Sequence, residues 1–158
     1  MRLGKQSGIT TVEFAIIGAT MLLVLFGLIE IGRAMFVLNA LGESTRRAAR
    51  VAAVCPINDP AIKEVGLFNA PGGGATAQIV GGLTAANFAV EYLDSNGNVI
   101  GDPNASFTQI QFVRTRIVGF QHQMLIPFAT TFFNTPDFAT TLRRESLGVP
   151  RSGVIQPC

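Results

Sequence analysis

The sequence predicts an α+β protein, in which one long N-terminal helix crosses a membrane, extends out of it and packs against a small antiparallel β-sheet. Three observations predict this class. An apolar run covers residues 9–29, no proline occurs before Pro56, and β-type segments separated by turn residues occupy the second half of the chain. These features divide the chain into four parts. They are a short polar segment 1–8, a transmembrane helix 9–31, a protruding amphipathic helix 32–54 and a β-rich module 55–158.

The apolar run has the length and composition of a membrane span. Its 21 residues contain a single charge, Glu13, and as a helix they extend about 31 Å, which is close to the thickness of the bilayer hydrocarbon. Only 14% of the chain is charged, whereas soluble domains carry about a quarter. A cleaved secretory signal would be shorter and end in small residues, and a core helix this apolar would need a larger domain around it. We therefore favour a membrane span.

The helix is predicted to continue well beyond the membrane. Apolar and small residues recur with alternating spacings of three and four, which is a heptad-type seam that buries one stripe of a helix against a neighbour. The seam consists of Ile31, Ala34, Leu38, Leu41, Thr45, Ala48 and Ala52, and the opposite face carries Glu43, Arg46, Arg47 and Arg50. One continuous helix over 9–54 would be about 69 Å long, so roughly half of it would stand outside the bilayer.

The module after Pro56 is predicted to contain a long loop and then a sheet. Residues 56–87 are rich in Gly, Ala and Pro, which predicts a loop with one short helix. Asn96-Gly97 is a strong hairpin signal, and Val99-Ile100 would begin the returning strand. The predicted strands cover residues 88–93, 107–118 and 138–147. We expect a three- or four-stranded antiparallel sheet packed on the protruding helix.

The segment around Gly8 is the most informative motif. A glycine precedes the apolar helix, and Glu13 and Phe14 follow within it. A carboxylate deep in lipid costs roughly 2.5 kcal/mol or more, so it needs a partner. Cleavage after Gly8 would create an amine on Ile9 that Glu13 of a neighbouring subunit could neutralise. Alternatively, Glu13 lies at headgroup depth and contacts water. The residues alone leave both interpretations open.

Residues 8–14 resemble the cleavage motif of type IV prepilins, in particular the glycine and Glu-Phe/Tyr form of the Flp pilus system. The segments 12–33, 39–41 and 48–52 resemble the TadE-like family of minor pseudopilins. The resemblance covers about residues 8–54, and its motifs are specific when they occur together. The module that follows is similar to the family only in its β-rich character.

The resemblance implies a pilin-like fold and a function. Residues 1–8 would be a leader peptide removed by prepilin peptidase between Gly8 and Ile9. The chain would sit in the bacterial inner membrane as a single-pass protein, with a cytoplasmic N-terminus and a periplasmic module, and would act in assembly of a tight-adherence pilus or become part of it. Implied partners are the peptidase, other pilins and pseudopilins, the inner-membrane assembly platform and membrane lipid. The chain is longer than the major pilins of that system, which favours a minor role.

Charge counting does not by itself give the orientation. Arg2 and Lys5 precede the span, whereas Arg33 and three further arginines follow it, so the positive-inside rule points away from an exported module. The net charge of +2 gives no expectation of nucleic-acid binding.

Other candidate sites are few, and we predict no catalytic residue, cofactor or metal site. His122 is the only histidine and is expected to lie on the surface or to be satisfied by hydrogen bonds. Glu30 and Arg33 are expected to form an ion pair at the membrane exit with a structural role and subunit contacts, the alternative being a functional pair within the membrane. Cys55 and Cys158 lack metal-site spacing and are expected to form an internal disulfide in an oxidising compartment, the alternative being a free or intersubunit Cys158.

Two other functions remain open at this point. The chain could be an uncleaved, membrane-anchored periplasmic binding module of a secretion or envelope complex, or an anchored enzyme. Detecting the loss of residues 1–8 in the mature protein would distinguish a pseudopilin from an uncleaved anchor.

Overall fold

The structure, a computed structural model, describes residues 7–77, 79–125, 131–149, 153 and 158. Its first and longest element is α1, Ser7–Val54. The predicted continuous helix is therefore confirmed, beginning two residues earlier than expected. Most of the predicted leader, residues 1–6, lies outside the described residues.

The first half of α1 is not covered by the rest of the chain. Only 6% of its most apolar stretch is buried, and the helix is long and apolar enough to cross a membrane. Phe14, Leu23 and Ile29 are representative of the large apolar side chains that point away from any other part of the protein. The helix is thus consistent with a single-pass membrane anchor.

A short helix, α2 (Pro60–Gly66), follows α1 and packs against it. The Asp59 carboxylate accepts a hydrogen bond of 2.9 Å from the Ala61 amide, and Pro60 occupies the first turn, where its missing N–H costs nothing. Ser44 of α1 donates a hydrogen bond of 2.6 Å to the Gly66 carbonyl. The prediction of a loop with one short helix is confirmed.

In the described part of the chain, five strands form two antiparallel sheets. The strands are β1 (Phe88–Leu93), β2 (Phe112–Ile117), β3 (Gln121–Gln123), β4 (Phe132–Asn134) and β5 (Phe138–Arg143). The larger sheet has the order β1-β2-β5, and the smaller pairs β3 with β4. The predicted α+β class with a small antiparallel sheet is confirmed, and the β3–β4 hairpin is an addition that the sequence did not predict.

Three strand predictions need correction. The turn at Asn96-Gly97 forms, but its return is a single bridge between Leu93 and Val99, because the Asp94 carboxylate closes a local turn through the amides of Asn96 and Asn98. In the predicted strand 107–118, residues 107–109 form a 3₁₀ turn instead and the strand begins at residue 112.

The last predicted strand, 138–147, was too long at its far end. β5 ends at Arg143. Beyond it the Glu145 amide donates to the Ala53 carbonyl (2.9 Å) and the Ser146 hydroxyl donates to the Val54 carbonyl (3.0 Å). These residues leave the sheet because they satisfy carbonyls at the end of α1 that have no partner within the helix.

The core lies between the second half of α1 and the larger sheet. Ala48 and Ala52 are fully buried, and their small side chains let the strands approach the helix closely. Thr115 of β2 donates a buried hydrogen bond of 2.8 Å to the Thr45 carbonyl. The predicted seam is buried from Leu41 onward. The prediction is wrong for Ile31, which is 63% exposed because the larger sheet does not extend down to this residue.

Candidate functional site

The predicted processing and pairing residues lie together on the first turns of α1. Gly8, Ile9, Glu13 and Phe14 are all exposed, and Phe14 is 77% accessible. A Cβ built on Gly8 would meet no atom within 4 Å. Among the residues that the structure describes, Glu13 takes part in no ion pair. Its carboxylate is therefore open to a partner outside this chain.

A second group of charged side chains lies at the predicted membrane exit, and we call it the exit cluster: Glu30, Arg33 and His122. The guanidinium of Arg33 lies 3.4 Å from Oε1 of Glu30 and 3.2 Å from Nε2 of His122. The same imidazole nitrogen is 3.4 Å from Glu30 Oε1. Arg33 also donates to the backbone carbonyl of Gln123. The cluster thus ties the β3–β4 hairpin to α1.

The strand geometry explains why His122 reaches the helix. In β3 the residues alternate between exposed and buried, so His122 points inward between Gln121 and Gln123. Its ring contacts the ring of Phe133 edge to face at 5.1 Å, and the two residues are opposite each other in the β3–β4 register. The imidazole therefore contacts Phe133 on one side and Glu30 and Arg33 on the other.

Two members of the exit cluster are buried, and one of their polar atoms lacks a hydrogen bond. Glu30 is 7% exposed and His122 is 4% exposed, and Oε1 of Glu30 has no partner that meets hydrogen-bond criteria. Nε2 of His122 can accept from Arg33 or, when it carries a hydrogen, donate to Glu30, but not both. Removing one member would leave a buried charge poorly paired, which is costly. The arrangement therefore works as a unit.

The two cysteines are at disulfide distance at the far end of α1. Their Cα atoms are 5.8 Å apart, within the range that a disulfide needs. Cys55 is buried directly after α1, and the amide of Cys158 donates to the Asp59 carboxylate at 3.3 Å. Within the described part of the chain, no three His, Cys, Asp or Glu side chains are grouped as a metal site would require.

The family comparison matches the part of the chain that carries most of these sites. A family described as "TadE-like protein" matches residues 8–50. Residues 8–50 are therefore similar to this family, and we call them the TadE-like segment. The resemblance predicted from the sequence is confirmed over this range, which includes Gly8, Glu13, Glu30 and Arg33. The TadE-like segment indicates involvement in the tight-adherence, or Flp, pilus system. Neither the comparison with curated proteins nor that with solved structures finds a match.

The TadE-like segment does not contain the residue that completes the exit cluster. His122 was expected to be a surface or satisfied histidine, and no sequence pattern joined it to Glu30 and Arg33. A weak signal was present: residues 120–123 alternate between apolar or aromatic and polar side chains, and the structure buries Phe120 and His122 while exposing the two glutamines. That pattern indicates a short strand with His122 on its inner face.

Proposed function

We propose that this chain is a minor pseudopilin, a structural and assembly subunit of a tight-adherence pilus, and not an enzyme. The observation that carries the proposal is the TadE-like match over residues 8–50. In this account the leader 1–8 is removed by prepilin peptidase after Gly8. The apolar part of α1 holds the mature chain in the inner membrane, from which it interacts with the assembly platform or joins the fibre.

Glu13 is assigned to subunit pairing. After cleavage the amine of Ile9 is a positive charge at the start of an apolar helix, and the exposed carboxylate of Glu13 is a negative charge one turn further along. Each of these two charges is costly in lipid without a partner. Pairing the Glu13 carboxylate with the amine of a neighbouring subunit offsets much of that cost. Phe14, which is highly exposed beside Glu13, would pack on the same neighbour.

The periplasmic placement of the module is also part of the proposal. Cys55 and Cys158 are at disulfide distance, and disulfides persist in oxidising compartments such as the bacterial periplasm. This supports a cytoplasmic N-terminus, since α1 separates Gly8 from the cysteines. The implied partners are the peptidase, other pilins and pseudopilins, the inner-membrane platform and membrane lipid.

The pilus role is tested by restoring the chain to bacteria that lack it. Wild type should restore sheared pili, whereas Glu13→Ala should still fractionate with membranes but restore few or none. Glu43→Ala is a matched control, because Glu43 is also an acid on α1 but pairs with Arg47 of the same helix at 3.2 Å. Normal piliation with Glu13→Ala would refute the pairing role. Normal piliation without the chain would refute the pilus function and favour the uncleaved binding module.

A further inference from the structure

We propose that the soluble module rests on the phospholipid surface of the same bilayer that α1 crosses. The contact is made by an interfacial surface consisting of Phe36, Ile79, Leu125 and Phe132. This inference depends on the membrane anchor that is part of the proposed function, but not on cleavage or on the pilus role.

Among the described residues, the β3–β4 hairpin contacts α1 closer to the span than the larger sheet does. Thr115 of β2 bonds to Thr45, whereas His122 of β3 contacts Arg33 and Glu30. Because α1 rises 1.5 Å per residue, the hairpin contacts the helix about 18–22 Å closer to the membrane than the centre of the larger sheet does. With a span that ends near residue 31, the hairpin lies at the level of the lipid headgroups.

The hairpin presents apolar side chains at that level. Phe132 pairs with Gln123, whose carbonyl accepts from Arg33, and Leu125 follows two residues later. Phe132 is 56% exposed and Leu125 is 67% exposed. Both side chains are large, apolar and exposed near the end of the same strand pair, and exposed apolar patches mark contact surfaces. They are accounted for if they enter the boundary between headgroups and acyl chains.

A groove next to these side chains has the mixed character of a headgroup site. It has a volume of about 470 Å³ and is lined by Arg33, Phe36, Ile79 and Leu125, among others. Several of its lining side chains are apolar, and the side chain of Arg33, which also lines it, is 30% exposed. Such an arrangement suits a phospholipid, whose phosphate would meet Arg33 while its glycerol and upper acyl chain meet the apolar lining.

The interfacial surface continues the lipid-facing surface of α1, which is why we favour lipid over a second protein. Exposed apolar side chains continue along the helix beyond the span at Ile31, Met35 and Phe36, and Ile79 and Leu125 line the same groove as Phe36. The negative charge of Glu30 offsets the positive charge of Arg33, so binding of the module to the membrane should not require anionic lipid.

Tryptophan fluorescence offers a direct test because the chain contains no tryptophan. Leu125→Trp and Phe132→Trp are introduced one at a time into the full chain, which is reconstituted in zwitterionic phospholipid vesicles. Val99→Trp is the matched control, since Val99 is an equally exposed apolar residue but bridges to Leu93 at the far end of the module. Leu22→Trp, in the middle of the span, reports insertion of α1.

Bromine atoms placed on the upper acyl chains should quench most of the fluorescence of Leu125→Trp and Phe132→Trp and leave Val99→Trp unchanged. Bromines placed deep in the bilayer should quench Leu22→Trp. If only Leu22→Trp is quenched, the docking proposal is refuted while the anchor stands. If Leu22→Trp is not quenched either, both are refuted. A blue shift of Leu125→Trp that depends on protein concentration rather than on lipid would show a second copy on this surface and would also refute the proposal.

Discussion

Oε1 of Glu30 lies 3.4 Å from Nε2 of His122, which joins the end of the predicted membrane span to a hairpin far along the chain. The contact excludes water from a carboxylate that the helix alone would leave exposed. It also sets how close the module lies to the membrane, because β3 contacts α1 at residues 30 and 33, whereas β2 bonds to it at Thr45.

Truncation of His122 should loosen the hairpin. In His122→Ala, Glu30 loses its contact with β3 and Arg33 keeps only its bond to the Gln123 carbonyl, and the poorly paired Glu30 costs about 1–3 kcal/mol. Hydrogen exchange at the β3 and β4 amides should therefore become faster, while β2 is unaffected. Gln123→Ala is the control, because its exposed side chain is removed but the carbonyl that accepts from Arg33 remains. Equal exchange in the two variants would mean that the exit cluster does not hold the hairpin.

Tyr92 should titrate at unusually high pH. It is almost fully buried, which raises the pKa of its phenol; Asp59 adds to the rise, while the hydrogen bond from the Asn58 amide (2.9 Å) partly opposes it. Since the folded-state pKa is the higher one, this contribution to stability is complete below about pH 10 and is lost as the pH rises through the folded pKa. It is the only tyrosine, so the ultraviolet absorbance of the phenolate reports it alone.

The midpoint of that absorbance change should lie above the ordinary value, and unfolding the protein should return it to about 10. Tyr92→Phe should remove the alkaline loss of stability but cost about 1 kcal/mol at neutral pH, because the Asn58 amide loses its acceptor. An ordinary midpoint in the folded protein would show that the phenol is not buried as described.

Cys55 and Cys158 should be found as an internal disulfide in protein extracted from membranes. A closed loop of about 100 residues stabilises the folded chain by up to about 4.7 kcal/mol through the entropy of the unfolded state. Non-reducing electrophoresis should show a monomer that migrates more slowly after reduction, and thiol labelling should find no free cysteine. Cys158→Ser should migrate like the reduced protein. A dimer that reducing agent dissolves, or two free thiols, would rule out the internal bond.

The sequence was most informative where one pattern extends over many residues. α1 was predicted nearly to the residue, because an apolar run, the absence of proline and a helical seam all agree over more than forty positions. β1 was predicted at its observed bounds, 88–93. The exposure of Ile31 could not be predicted, since periodicity shows that a stripe can be buried but not which other part of the protein is long enough to cover it.

The exit cluster was only half predictable. Glu30 and Arg33 are three residues apart, so a helix brings them together whatever the rest of the fold does. His122 joins them only because β3 follows β2 down the helix, and β3 and β4 are three residues each, too short for a periodic signal. Long-range contacts of this kind depend on the tertiary path of the chain and not on local pattern.

The most direct test of the account is the N-terminal residue of the mature protein. Gly8→Leu and Gly18→Leu form a matched pair, because a Cβ at either glycine of α1 meets no atom within 4 Å and neither change should disturb the fold. In bacteria that contain prepilin peptidase, N-terminal sequencing should begin at Ile9 for wild type and for Gly18→Leu, while Gly8→Leu and peptidase-deficient cells should retain residues 1–8. Wild-type protein that keeps Met1 in the presence of the active peptidase would contradict the assignment as a processed pseudopilin.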